Sequence, residues 1–341
     1  MVWDKETSRR QFIKASATAV GLGAIAVSPL GRAFGQDFPS KRINITIPTA
    51  SGGGADRDVR IFNSVWQKYI KTTFKVEFFP GAAGQVGYET YVQNREPDCY
   101  NLIFGNTGPE VIMYVLQKPN YKFPGDYYFL NMIGVEDMTI FVGKNSPIKT
   151  IEEMVELGKK RTVNIAVSRL PHPASIGCLS LAEATGAKFN LVPYGGGGPS
   201  ARAALAGETD AVALPIAQPV RLGDEARTLV VFADKNPVPE LTNNAPPVNK
   251  VFGTKIPQLT MSRGFAAHGV AIKKYPDRVK VLTSTMKQAF DDPAYPEAIK
   301  KAGLPTTFMA WGDQEQAMAT AQVTLELAKR YEPLLRGKKK G

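Results

Sequence analysis

The stretch Ile43–Arg60, INITIPTASGGGADRDVR, decides the fold. Ile43, Ile45 and Ile47 alternate with Asn44 and Thr46, a period of two that predicts a strand. Pro48 ends it. Thr49, Ala50 and Ser51 follow, then the glycines Gly52, Gly53 and Gly54, and then Asp56, which reads as a helix N-cap. Val59, Phe62, Val65 and Trp66 supply a helical stripe. The order is strand, glycine-rich loop, helix start. Glycines let backbone approach a ligand closely, and a helix start carries partial positive charge. Together they describe an anion site; a tight turn without a ligand is the alternative reading. No Lys-Ser/Thr follows the glycines, so the loop is not a P-loop, and the spacing does not fit a dinucleotide fingerprint.

Toward the N-terminus lies Ser8-Arg9-Arg10-Gln11-Phe12-Ile13-Lys14, then an apolar run from Ala15 to Leu30, then small residues up to Gly35. A basic segment, an apolar segment and a small-residue end predict a secretory signal over residues 1–35, and the arginine pair fits the twin-arginine pattern. An uncleaved anchor is the alternative, but the run is short and rich in Ala, Gly, Ser and Thr. The chain has 341 residues and a net charge of +11. Without residues 1–35 it carries 37 basic and 29 acidic residues, a net +8 that favours anionic ligands. The basic residues are scattered apart from the Arg336–Lys340 tail, which reads as disordered, so no nucleic-acid partner is expected. Cys99 and Cys178 are the only cysteines and fall in separate segments, so free buried thiols are expected. Beside them stand only His172 and His268, which gives no metal spacing, and no cofactor or metal is expected.

Toward the C-terminus, Phe74–Phe79 reads as a second strand, ending at a second glycine loop, Pro80-Gly81-Ala82-Ala83-Gly84-Gln85-Val86-Gly87. Asn101–Phe104 leads to Asn106-Thr107-Gly108; Met138–Val142 precedes Ser146-Pro147-Ile148; Asn164–Val167 leads to Ser168. Short apolar strands alternate with helical stripes, the pattern of parallel α/β sheets, whose ligand loops lie beyond strand carboxyl ends. Asn236–Pro257 reads as an excursion, Arg263–Ile272 as a returning strand, and Pro276–Gly303 and Asp313–Leu335 as helical stripes.

The ordered set I-P-x-x-x-G-G-x-x-D, P-G-A-x-G-x-x-G, Pro97-Asp98-Cys99-Tyr100, Val192-Pro193-Tyr194-Gly195-Gly196 and Ala203–Asp210 resembles the tripartite tricarboxylate transporter receptors, the Bug-type periplasmic solute-binding proteins. The resemblance runs from about Phe38 to Leu335. It implies an α/β, two-domain periplasmic binding protein fold of type II, with a ligand cleft between domains joined by two crossing segments near 136–142 and 258–266. Domain one would hold residues 37–137 and 264–341, and domain two residues 138–263.

The resemblance also implies that a ligand carboxylate sits on the two glycine loops. In this chain those are Thr49, Ala50, Ser51, Gly52, Gly53 and Asp56 in the first, and Gly81, Ala82, Ala83 and Gly84 in the second. Asn106 and Thr107 end the third strand on the same rim. Domain two would contribute Ser168, Arg169, His172 and Ser175, with Tyr194, Gly195 and Gly196 opposite. Here the chain departs from the family: Ser168–Ser175 has no glycine where the family has Gly-Ser-x-Gly-x-Gly. Arg169 is expected to clamp a second carboxylate bidentately; a solvated arginine is the alternative. Asp56 reads more readily as a cap than as a contact, and Tyr194 either stacks on the ligand or fills core. Two further departures are Phe78-Phe79 in place of Asn-Arg, and Cys99 in place of glycine.

The function implied is an extracytoplasmic receptor, expected to be monomeric, that passes a small organic (di)carboxylate to membrane transporter subunits. A periplasmic sensor feeding a signalling partner is the alternative. An enzyme fits less well: no G-x-S-x-G elbow and no metal cluster is present, and only His172 offers a base near the expected cleft.

Overall fold

Ile43, Ile45 and Ile47 are fully buried, and the strand they form, β1 (Ile43–Ile47), lies inside a mixed sheet. The computed structural model describes residues 38–337; the expected signal segment at residues 1–35 and the tail residues 338–341 lie outside them. After β1 come α1 (Gly54–Ile70), β2 (Phe74–Phe78), α2 (Gln85–Asn94), β3 (Asn101–Asn106), α3 (Pro109–Gln117), β4 (Tyr127–Phe129) and β5 (Met132–Gly143). Next are α4 (Ile151–Lys160), β6 (Val163–Val167), α5 (Pro173–Thr185), β7 (Phe189–Pro193), α6 (Gly197–Leu205), β8 (Ala211–Pro215), α7 (Ala217–Leu222), β9 (Ala226–Val231) and α8 (Val248–Phe252). The chain closes with β10 (Thr260–His268), α9 (Gly269–Lys274), α10 (Pro276–Asp291), α11 (Ala294–Lys301), β11 (Met309–Gly312) and α12 (Gln314–Leu335).

The main strand order is β2-β1-β3-β10-β5-β8-β6-β7, with β4 beside β10, and β9 and β11 beside β5. β1 pairs parallel with β2 and β3, and β6 parallel with β7 and β8. β5 and β10 run antiparallel through the middle. β5 changes partners along its length: Gly134–Asp137 face β10, whereas Met138–Phe141 face β8. Strands β1 to β4, β10, β11 and the start of β5 form a first lobe; β6 to β9 and the end of β5 form a second. Pairing apolar strands in parallel requires helical crossovers, so both lobes are layered α/β.

The last helix belongs to neither lobe alone. Ala317, Ala321 and Leu325 pack with Tyr88, Tyr91 and Ile103 of the first lobe. Ala328 and Tyr331 pack with Ile140, Ile165 and Ile176 of the second.

Several expectations are corrected. Asp56 is not the cap of α1: Gly53 holds that position, with extended backbone and no side-chain cap. The Asp56 carboxylate instead accepts the Gly52 N–H at 2.8 Å and the Arg60 guanidinium, bracing the loop from behind. The returning strand stops at His268 rather than Ile272, because Gly269 lies so close to Gly125 that a Cβ there would stand 2.1 Å from its carbonyl oxygen. The Pro276–Gly303 stripe is two helices, broken at Asp292, whose carboxylate collects Lys68, Tyr69 and the Ala294 N–H. Cys99 and Cys178 are buried free thiols. Cys99 holds φ +66°, a left-handed conformation that favours glycine.

Candidate functional site

Both glycine loops and the loops after β6 and β7 open into one cavity of about 550 Å³. The first wall is Pro48–Gly54, carried from the buried β1 to the first turn of α1. The second is Pro80–Gly84. Here Gly81, Ala82, Ala83 and Gly84 take φ values of +133°, +43°, +58° and +106° in succession. Alanine in that region costs about 1–2 kcal/mol per residue, so surrounding contacts hold this loop against its own preference. The Gly84 N–H closes a tight turn on the Gly81 carbonyl at 2.8 Å, and the first N–H groups of such a turn have no partner within it, which suits an anion cradle.

The second lobe faces these loops with Ser168–His172, Gly195–Pro199 and Arg202. His172 is the N-cap of α5 and is almost fully buried. Its Nδ1 accepts the Ala174 N–H at 3.1 Å. In the neutral ring the proton therefore sits on Nε2, which makes His172 an uncharged hydrogen-bond donor on the cavity wall. Burial, then the positive charges of Arg169 and Arg263, push its imidazole well below the usual range.

Arg169 lies on the cavity wall, but the expected clamp is not free to form. Its Nη1 donates to the Ala83 carbonyl at 2.7 Å and its Nη2 to the Glu110 carboxylate at 2.9 Å. Glu110 is fully buried in the first turn of α3 and also accepts the Asn106 N–H and side-chain amide. A second-lobe arginine is thus consumed by the first lobe, neither solvated nor offered to a ligand.

Of the other expected site residues, Thr49 to Gly53, Gly81 to Gly84, Asn106, Ser168, Gly195 and Gly196 all line the cavity. Four do not. Asp56 stands behind the first loop. Thr107 is buried against Ser262, joining β3 to β10 through hydroxyls 2.8 Å apart. Ser175 donates to the Arg169 carbonyl and shapes that loop. Tyr194 packs against the cluster around Phe141 and Leu214, with its hydroxyl on Glu208.

Sequence reasoning missed a buried charge network on the cavity floor. Arg57 meets Asp58 at 2.6 Å; Arg263 meets Asp58 at 2.6 Å and also Glu136. Burial alone would raise the Asp58 carboxyl, but Arg57 and then Arg263 outweigh it and hold it below the usual carboxylate range. Burial likewise works against the charged form of Arg263, and Glu136 and Asp58 reverse the effect. Arg263 also explains Gly54: a Cβ there would stand 2.8 Å from its Nη2. The signal lay in the sequence, since Glu136 stands at the start of the expected crossing at 136–142 and Arg57-Asp58 follow the glycine run after Ala55 and Asp56. Arg202 also lines the cavity, and it was missed because one arginine on an Ala-rich helix looks like a solvated face.

No group of three or more His, Cys, Asp or Glu placed to hold a metal occurs among the described residues, and none of their helices is long and apolar enough to cross a membrane. The chain is 28% identical over 181 residues to a protein of the TAR-I intergenic region of Agrobacterium vitis, spanning 51% of each chain. It is 26% identical over 327 residues to a protein of the gbd 5' region of Cupriavidus necator, covering 92% of this chain and 94% of that one. An R. palustris protein solved with adipate superposes with a TM-score of 0.76 at 16% identity, over 88% of this chain and 99% of the other. The shared fold is the two-lobed α/β architecture of periplasmic solute-binding proteins. The family model described as "Tripartite tricarboxylate transporter family receptor" matches residues 59–336. The chain belongs to the tripartite tricarboxylate transporter receptor family.

Proposed function

We propose that this protein is an extracytoplasmic receptor that encloses a small organic carboxylate between its lobes and delivers it to a tripartite tricarboxylate-type membrane transporter. The observation that carries this reading is the run of left-handed residues Gly81–Gly84, held across a cavity from the Pro48–Gly54 loop. Strain of that kind, paired with the N-terminus of a long helix, suits an anion. The adipate in the R. palustris protein supports a carboxylate as the ligand class. The moving bodies would be residues 37–137 with 264–341, and residues 138–263, with the β5 partner change between Asp137 and Met138 as one crossing. Export would use Arg9 and Arg10 through the twin-arginine route. On this reading the protein binds and releases its ligand unchanged.

The test is a thermal-shift screen of the mature chain against a carboxylate library. A ligand at about 100 times its dissociation constant adds roughly 2.7 kcal/mol of stability. Gly53→Leu is the matching control. The Gly53 backbone is already extended at φ −90°, and an added Cβ meets only the Ala50 carbonyl at 3.7 Å, so the fold is retained while the cavity wall gains bulk. The hit should lose its shift in Gly53→Leu, with circular dichroism unchanged. A full shift in that variant would exclude the first loop from the site.

A further inference from the structure

Four arginines stand on the cavity wall: Arg57, Arg169, Arg202 and Arg263. Three have a carboxylate already. Arg57 and Arg263 share Asp58 and Glu136, and Arg169 holds Glu110. In these pairs the arginine side chains are 11–15% exposed and the carboxylates 0–14% exposed, so water does little to screen them. Three buried negative charges therefore offset three positive ones. Arg202 is different: it is exposed, it lines the cavity, and its guanidinium has no ion pair or hydrogen bond among the described residues. His172 adds a dipole and no charge. The cavity thus carries one uncompensated positive charge.

We infer that the cleft selects a ligand with a single negative charge, with Arg202 as its counter-charge and Glu110 as the residue that sets this preference by consuming Arg169. This rests on the receptor reading and specifies its ligand class. A first carboxylate meets the backbone donors of the glycine loops and the field of Arg202. A second one finds no free cation, and Glu136 lies on the same wall. An ionised group enclosed without a partner loses its hydration with nothing in return, so the second charge works against binding.

The experiment is calorimetry at neutral pH with matched probes that differ in one charge: adipate against its monomethyl ester, and terephthalate against its monomethyl ester. In the wild-type chain at least one half-ester should bind about tenfold or more tightly than its diacid. Arg202→Gln, at an exposed position, should weaken that half-ester by roughly tenfold, with an unchanged melting temperature. Glu110→Gln frees Arg169 and should shift the preference toward the diacid by a similar factor. Diacids binding more tightly than their half-esters to the wild type would overturn the charge assignment and leave the receptor reading intact. Unchanged half-ester affinity in Arg202→Gln would also overturn it. If no probe binds and the wider carboxylate screen is empty as well, both readings fall.

Discussion

Arg169 shows how far a single residue can be read from sequence alone. Its presence at the cleft followed from the loop after β6. Its availability did not, because Glu110 lies 59 positions away and looks in sequence like an ordinary first-turn acid. Glycine runs announce themselves locally, whereas ion pairs depend on what the fold brings opposite. The conformation of Ala82 and Ala83 was hidden for another reason: nothing in an alanine predicts a positive φ. His172 permits a prediction at this scale. Its folded-state imidazole is held well below the usual 6.5, so below that pH the unfolded chain takes up a proton that the folded chain refuses. Stability from this source is present above about pH 6.5 and is lost as pH falls, at up to about 1.4 kcal/mol per pH unit. His172→Asn keeps a side-chain cap on α5 and removes the titration. Urea denaturation at pH 6.5 and 5.5 should therefore show a drop about 1 kcal/mol smaller in the variant than in the wild type. His268, shifted the same way by burial, is present in both chains and cancels. Equal drops would mean that His172 is as easily protonated in the folded state as in the unfolded one.

Elements were more legible than contacts. Alternation over Ile43–Ile47 and the stripe from Val59 to Trp66 fixed β1 and α1 because burial of one face leaves little choice. Boundaries were less legible wherever tertiary crowding ended a strand, as at Gly269. Helix ends offer a test. α1 closes at Lys71, an exposed residue at φ +54° and ψ +37°, whose N–H reaches the Gln67 carbonyl. Glycine takes that conformation without the left-handed penalty of about 1–2 kcal/mol, less its own greater loss of entropy on folding. Lys71→Gly should thus gain about 0.5–1 kcal/mol, read as a higher urea midpoint at unchanged slope. A lower midpoint would show that the lysine side chain supports the helix end in some other way.

The whole molecule is held across its cleft by Arg169, which ties the loop after β6 to Ala83 and Glu110. Removing one partner of a buried pair is worse than removing both. Arg169→Ala should destabilise by about 3–5 kcal/mol because the Glu110 carboxylate is left buried without its guanidinium partner, and adding Glu110→Gln should restore most of that. Small-angle scattering of the ligand-free double variant should give a larger radius of gyration than the wild type, since the tie is gone while the hinge strands remain. Equal losses in the single and double variants would show that Glu110 is not stranded. The last helix, α12, carries the same logic to the chain's end. Its first half packs in one lobe and its second half in the other, and Arg336 beyond it donates to the Leu116 carbonyl at the far end of α3, the helix that begins beside Glu110. Any rotation of the lobes must shear or lift the final turns of α12. Deuterium uptake by the amides around Ala328 to Leu335 should then slow when the cleft fills, and a dye attached near residue 336 should report occupancy from a point remote from the ligand.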